Sequence, residues 1–162
     1  DTDERVAAVG PSIALDQQGQ PHFTLPVSDK TPLDSHFYFV TWKDLKWQRF
    51  RITPTMHPFN ASQLEHMPNG EFRAFLIAGS GETVGEEGMD EYGWGQRVEE
   101  WVSREGGSVW ERRSELTPRP GLRYQNVQPV FGSDGRALRD LLLFYGWKDK
   151  ESPGTAFLWD NR

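Results

Sequence analysis

The chain has 162 residues, 36% hydrophobic and 26% charged, which suffices for one sizeable core and argues against wholesale disorder. Lys and Arg total 18 against 24 Asp and Glu, a net charge of −6 with the basic residues scattered, which argues against a duplex nucleic-acid binder. No apolar run approaches the ~20 residues of a membrane-crossing helix, and the absence of cysteine excludes a disulfide framework, Cys-ligated zinc and a thiol nucleophile. The opening residues 1–5 carry no basic n-region, apolar h-region or initiator Met, so a removed leader or a longer parent protein is expected.

Seven Trp residues fall at near-regular intervals, and regular intervals point to repeats. Residues 1–9 read as an orphan outer strand. A first repeat, 11–54, opens on the β-type run Ser12-Ile-Ala-Leu15, turns at Gln18-Gly19-Gln20 and continues into an apolar run over 22–27. After a loop it runs from His36 to Trp42, turns tightly, and finishes on a run with Trp47 near its start. A second repeat, 59–118, has the same order: Ser62-Gln-Leu64, a turn at Pro68-Asn69-Gly70-Glu71, an apolar run over 72–78, a long Gly-rich loop, a run over 97–102 containing Trp101, and a last run after Trp110. A third, 126–162, opens at Asn126-Val127-Gln128-Pro129-Val130, turns at Ser133-Asp134-Gly135, runs through Leu141 to Tyr145 and ends on Ala156-Phe157-Leu158-Trp159. This alignment treats Trp42, Trp101 and Trp159 as equivalent, at a period of about 58 residues.

Each unit reads as a four-stranded antiparallel meander that cannot bury both faces alone, so the expected fold is all-β, a β-propeller of which about three blades are present. A helical period also fits 96–105 and 137–144, but their counterparts in other repeats, such as His36-Phe-Tyr-Phe-Val-Thr-Trp42, are aromatic and β-branched and favour strands.

The stretch Ser103-Arg104-Glu105-Gly106-Gly107-Ser108-Val109-Trp110 has the spacing of an Asp-box turn, Ser-x-Asp-x-Gly-x-Thr-Trp, with Glu for Asp and Val for Thr. With the blade opening Pro11-Ser-Ile-Ala-Leu-Asp-Gln-Gln-Gly-Gln-Pro-His22, the Trp42 to Trp47 hairpin, and Arg123-Tyr-Gln-Asn-Val-Gln-Pro129, the chain resembles the BNR/Asp-box repeat propellers, and within them the secreted polysaccharide lyases. The resemblance implies the C-terminal blades of a larger propeller, a secreted or periplasmic location, an acidic polysaccharide as partner, and a companion chain, further blades or self-association to complete the ring.

In a stacked meander the loops between second and third strands, and those between blades, emerge on one face, and here those are the long ones. They carry His57, Tyr92, Trp94, Arg119, Arg123, Tyr124, Trp147 and Lys148. Arg forks bind a uronate carboxylate and flat aromatics stack on sugar rings, which suits β-elimination from a uronic-acid glycan. The expected catalytic set is Arg123 and Lys148 on the carboxylate, with His57, Tyr92 or Tyr124 moving protons. Trp94, Arg119, Trp147 and Lys148 are the expected substrate contacts. His22 reads as a locally satisfied strand-start His, His36 as similar, and His66 as a surface residue.

The Gly- and acid-rich loop over 79–95 reads as a mobile substrate lid, or as a set of oxygen ligands for calcium without the EF-hand spacing. Asn60-Ala61-Ser62 is a formal glycosylation sequon. Two further functions stand beside the lyase: a non-catalytic glycan-binding propeller, and a sialidase-like glycoside hydrolase, which needs a carboxylate pair or an Arg cluster with a Tyr/Glu pair.

Overall fold

The computed structural model describes residues 11–28, 34–56, 60–79, 94–149 and 152–161. Among them the regular structure is all β, in eleven strands. Sheet I is β1 (Ser12–Leu15), β2 (Pro21–Ser28), β3 (Ser35–Lys43) and β4 (Lys46–Thr55), in sequence order. Sheet II is β5 (Ser62–His66), β6 (Phe72–Ala78), β7 (Arg97–Ser103) and β8 (Glu111–Glu115), also in sequence order. Sheet III holds β9 (Arg123–Phe131), β10 (Ala137–Trp147) and β11 (Thr155–Asp160), again consecutive. Every pairing is antiparallel, and no closed barrel forms among the described residues.

The helical alternatives for 96–105 and 137–144 give way to β7 and β10, each paired on both sides with its neighbouring strands. One sequence boundary and one equivalence move. Sheet III starts at Arg123 rather than at 126, because Arg123, Tyr124 and Gln125 pair with Trp147, Gly146 and Tyr145 of β10, while Tyr124 also exchanges both backbone hydrogen bonds with Gly95 of the β6–β7 link at 2.7 and 2.8 Å. Trp101 and Trp159 hold one register position, opposite Ala74 and Leu142, but Val40 fills that position in sheet I, opposite Phe23. Trp42 lies two residues further on, paired with Trp47 at the tip of the β3–β4 hairpin, so its equivalence to the other two does not hold.

The first hairpin of each sheet is the same turn built three times. Asp16, Met67 and Gly132 each donate their N–H to the carbonyl four residues on, and accept from Gly19, Gly70 and Gly135, all at φ between 75° and 85°. In each a short polar side chain braces the loop: Asp16 Oδ1, Asn69 Oδ1 and Asp134 Oδ1 accept from Gln18, Glu71 and Arg136.

The sheets stack in chain order, with the first strands adjacent, β1 on β5 and β5 on β9. Leu64 N–H donates to Ser12 Oγ at 2.8 Å, and Thr24 and Ser62 share a hydroxyl hydrogen bond at 2.9 Å. One core layer lies between sheets I and II, formed by Ala14, Phe37, Phe39 and Ile52 against Leu64, Phe72, Ala74 and Leu76. The other lies between sheets II and III, where Phe75, Ile77 and Val98 meet Tyr124, Val127, Leu142 and Phe144.

Layer position explains the burial of each strand. In β6, covered on both faces, every residue is buried; in β2, burial alternates residue by residue. The forward face of a sheet is here the one toward the next sheet in the chain, and the rear face is the other.

The β7–β8 turn locks the first of these layers. Ser103 Oγ accepts from Gly107 N–H at 3.1 Å, and Trp110 Nε1 donates to the Gly107 carbonyl at 2.8 Å. The turn puts the Trp110 ring 5.5 Å from Phe39 of sheet I. Glu105 contributes its carbonyl, accepting from Ser108 Oγ at 2.9 Å.

Buried charges are paired within sheet II and, through Arg73, across to sheet III. Arg73 on β6 reaches Glu65 at 2.7 Å within its own sheet and Asp140 of sheet III, over the Phe75 ring at 4.9 Å. Glu99, 1% exposed, accepts from Arg97, Trp101 Nε1 and Arg112.

Candidate functional site

Antiparallel order places the ends of the even-numbered strands and the starts of the odd-numbered ones at one end of the stack. The strand bounds leave connections of 6 to 18 residues at that end against 2 to 7 at the opposite one, where Gln17 Nε2 donates to Pro68 O at 2.9 Å from sheet to sheet.

At the long-loop end three of the expected residues meet. The Arg123 guanidinium lies over the Trp94 ring at 4.6 Å, and Arg123 is the cross-strand partner of Trp147. A guanidinium stacked flat on an aromatic face is held in a fixed orientation by the attraction between cation and ring. Trp147 is half-buried and packs on Tyr145 at 5.4 Å. Tyr145 is itself held over Gly154, where a Cβ would meet the ring at 2.4 Å. Lys148, next in the chain, is exposed.

Trp94 is 5% exposed, so it supports Arg123 from beneath and offers no open face to a sugar ring. Its anchor is Asn60, which sequence reasoning treated only as a sequon. Asn60 is fully buried, and its Nδ2 donates to Trp94 O at 2.8 Å and to Thr55 Oγ1 at 2.6 Å. An amide nitrogen committed in this way is closed to glycosylation. Gly95 then passes so close to β6 that a Cβ would lie 2.7 Å from Ile77 Cγ2 and 2.8 Å from Ala78 O. The one sequence signal for this anchor is a lone polar residue in the link between two apolar units.

Tyr124 is 0% exposed, with its ring against Phe144 and Phe157. Its hydroxyl donates to the Arg119 carbonyl at 2.6 Å and accepts from Arg119 N–H at 3.0 Å. Burial pushes its pKa above the ordinary tyrosine value, against the opposing influence of Arg119. The structure therefore makes Tyr124 a clasp on the β8–β9 link, with no proton free for a substrate. Arg119, exposed, is held over Phe157 at 5.8 Å, on the other face of sheet III from Arg123.

His57 and Tyr92 lie outside the described residues, as does the 80–93 stretch that carries the lid and calcium expectations. Among the described residues no group of three or more His, Asp or Glu side chains converges on one point. No described helix is long and apolar enough to cross a membrane. His22 is buried, with Nε2 3.3 Å from Asp16 and its ring stacked on Phe39 at 5.6 Å. The expected local partner is thus found at Nε2, while the buried Nδ1 has no hydrogen-bond partner among the described residues. His36 is also buried, 3.7 Å from Asp34.

Compared with known proteins, the chain matches no family model and no curated sequence.

Proposed function

We propose that the three sheets are consecutive blades of a β-propeller and that the long-loop end binds a uronic-acid glycan, cleaving it by β-elimination. Support for the architecture comes from the repeated hairpin and the first-strand contacts β1 on β5 on β9, the pattern of meanders stacked around an axis. The binding reading is carried by one observation, the Arg123 guanidinium fixed on Trp94 beside Trp147. The guanidinium edge pairs with the uronate carboxylate, and the sugar ring lies along Trp147.

In the elimination a base takes the C5 proton, the C4–O bond breaks as the C4–C5 double bond forms, and an acid protonates the departing oxygen. The carboxylate that Arg123 neutralises is the group that acidifies C5. With the Tyr124 hydroxyl bound to Arg119, the base and acid roles rest with His57 and Tyr92. The same engagement of Tyr124 favours, as second reading, a propeller that binds the glycan without cleaving it.

The test incubates the protein with a panel of uronic-acid polysaccharides, following the ultraviolet absorbance of the unsaturated uronyl end and, separately, binding by titration calorimetry. Absorbance that grows with time and falls at least tenfold in Arg123→Ala supports the lyase. Saturable binding without absorbance supports the second reading. No binding at millimolar saccharide overturns both.

A further inference from the structure

Among the described residues, the outward faces of sheets I and III carry exposed apolar positions and are written like the interior. In the interior layer between sheets II and III, Phe75 and Ile77 project from the forward face of sheet II onto Leu142 and Phe144 of the rear face of sheet III. Register places Leu143 and Tyr145 at the positions of Phe75 and Ile77, but on the forward face of sheet III, where they are 42% and 40% exposed beside Leu158 at 62%. The rear face of sheet I shows the complementary set. Phe23 and Leu25 hold the positions of Ala74 and Leu76, and Ile13 that of Leu64, the residues by which sheet II packs on sheet I. Ile13 is 56% exposed and Leu15 61%.

Strands with one face in water alternate apolar with polar residues, whereas β10 is apolar on both faces, the composition of strands covered on both sides. The β10 run Leu141-Leu-Leu-Phe-Tyr145 belongs to this class, and in β2 the apolar Phe23, Leu25 and Val27 lie on the rear face, with His22 and Thr24 on the forward one. The forward face of sheet III also carries a shallow depression of about 340 Å³ bordered by Gln125, Asn126, Gln128, Leu143, Tyr145 and Ala156, with Phe144 reached at its floor.

We infer that the forward face of sheet III packs on the rear face of sheet I of a second copy of the same chain, and that the reciprocal contact closes a two-fold ring of six sheets. One chain carries both halves of this interface, a forward and a rear face of the kind already joined twice within it, so a copy is the occupant whose fit the structure itself displays. The contact is head to tail, and closure after two copies ends the assembly without a free face. The inference rests on the propeller reading of the stack and is independent of the glycan, so the experiment below tests it whether or not a saccharide binds.

The absence of cysteine permits a direct test. Single variants Ile13→Cys and Gln128→Cys of the full chain, at the positions of Leu64 and Ser12, which meet at 2.8 Å between sheets I and II, are prepared, mixed and oxidised, with native mass measured in parallel by light scattering. The inference expects wild-type particles of twice the chain mass. It expects the two variants to cross-link each other readily and each to cross-link itself at least tenfold less. Leu143→Lys, at an exposed position, should shift the particle to one chain mass while the far-ultraviolet circular dichroism stays unchanged. Preferential cross-linking within the Gln128→Cys variant alone, meaning like faces pair, overturns the proposal. So does a ladder of masses beyond two chains, which means the ring does not close. A single-chain particle at all concentrations overturns it too, and assigns the faces to another part of a longer polypeptide or to a different protein.

Discussion

Adjacent glycines in the β7–β8 turn separate two physical effects that are usually entangled. Gly106 and Gly107 both have left-handed backbones, at φ 62° and 93°. A Cβ on Gly106 would meet nothing within 4 Å, whereas one on Gly107 would lie 1.9 Å from Phe39 Cε1, inside the ring's van der Waals envelope. Gly106→Ala should therefore cost only the conformational penalty, about 1 kcal/mol once the stiffer unfolded chain is credited. Gly107→Ala carries that penalty plus the displacement of a buried ring packed on His22, Phe72 and Trp110, an overpacking cost of roughly 1–3 kcal/mol, for a total of about 2–4 kcal/mol. Urea denaturation of the two variants and the wild type measures the difference directly, provided the denaturant slope is unchanged. Adding Phe39→Leu to Gly107→Ala should recover part of the loss, because the smaller side chain vacates the collision. Equal destabilisation by the two glycine substitutions would refute the claim that this turn is set by contact between sheets I and II.

Three other outcomes follow from the same packing. Arg73→Met removes the buried cation facing Glu65, Asp140 and Glu100; because Asp140 is a third exposed and Glu100 keeps Arg113 and Ser114, the loss belongs near the lower end for broken buried pairs, about 3 kcal/mol by chemical denaturation. Combining it with Glu65→Gln should destabilise by less than the sum of the two single changes. Tyr124→Phe leaves the Arg119 carbonyl and N–H without their partner and should cost roughly 1–2 kcal/mol in stability, with saccharide turnover intact at temperatures where the variant is folded. Loss of turnover without loss of stability would instead return Tyr124 to the chemistry.

His22 supplies a pH dependence. Burial depresses its pKa below the ordinary 6.5, against the pull of Asp16, so below that pH the unfolded chain binds a proton that the native chain resists. Its contribution is therefore present above about pH 6.5 and is lost as pH falls through that value, and His22→Gln should flatten the stability curve there. Asp16 acts in the acid range. Burial raises its pKa, but the Gln20 and Gln18 N–H groups and His22 outweigh this and hold it below 3.8, so its contribution disappears as pH falls through the depressed value. A stability curve unchanged by His22→Gln between pH 7 and 5 would show that this ring is not desolvated on folding.

Much of the fold was legible before any coordinates. The turns at Gln18-Gly19-Gln20, Asn69-Gly70 and Ser133-Asp134-Gly135 are local devices, specified by a residue that tolerates positive φ next to a short polar brace, and they stand where the sequence places them. The runs between them are strands because their aromatic and β-branched residues suit a pleated, half-covered surface. The candidate site was legible only in part. Arg123 and Trp147 could be named from their loops, but that Trp94 supports Arg123 from below, and that Tyr124 is spent on Arg119, depends on residues 29 and 5 positions apart in the chain meeting in space.

Residue order thus determined the all-β class, the hairpin turns and the threefold rhythm, since each arises from interactions within a few residues of chain. Tertiary structure alone decided which face of each strand is wet, why β6 is buried throughout while β2 alternates, that Val40 rather than Trp42 matches Trp101, and that Asn60 anchors the segment beneath Arg123. These depend on which sheet lies against which, and burial and register between sheets are set by contacts that no local window of sequence contains.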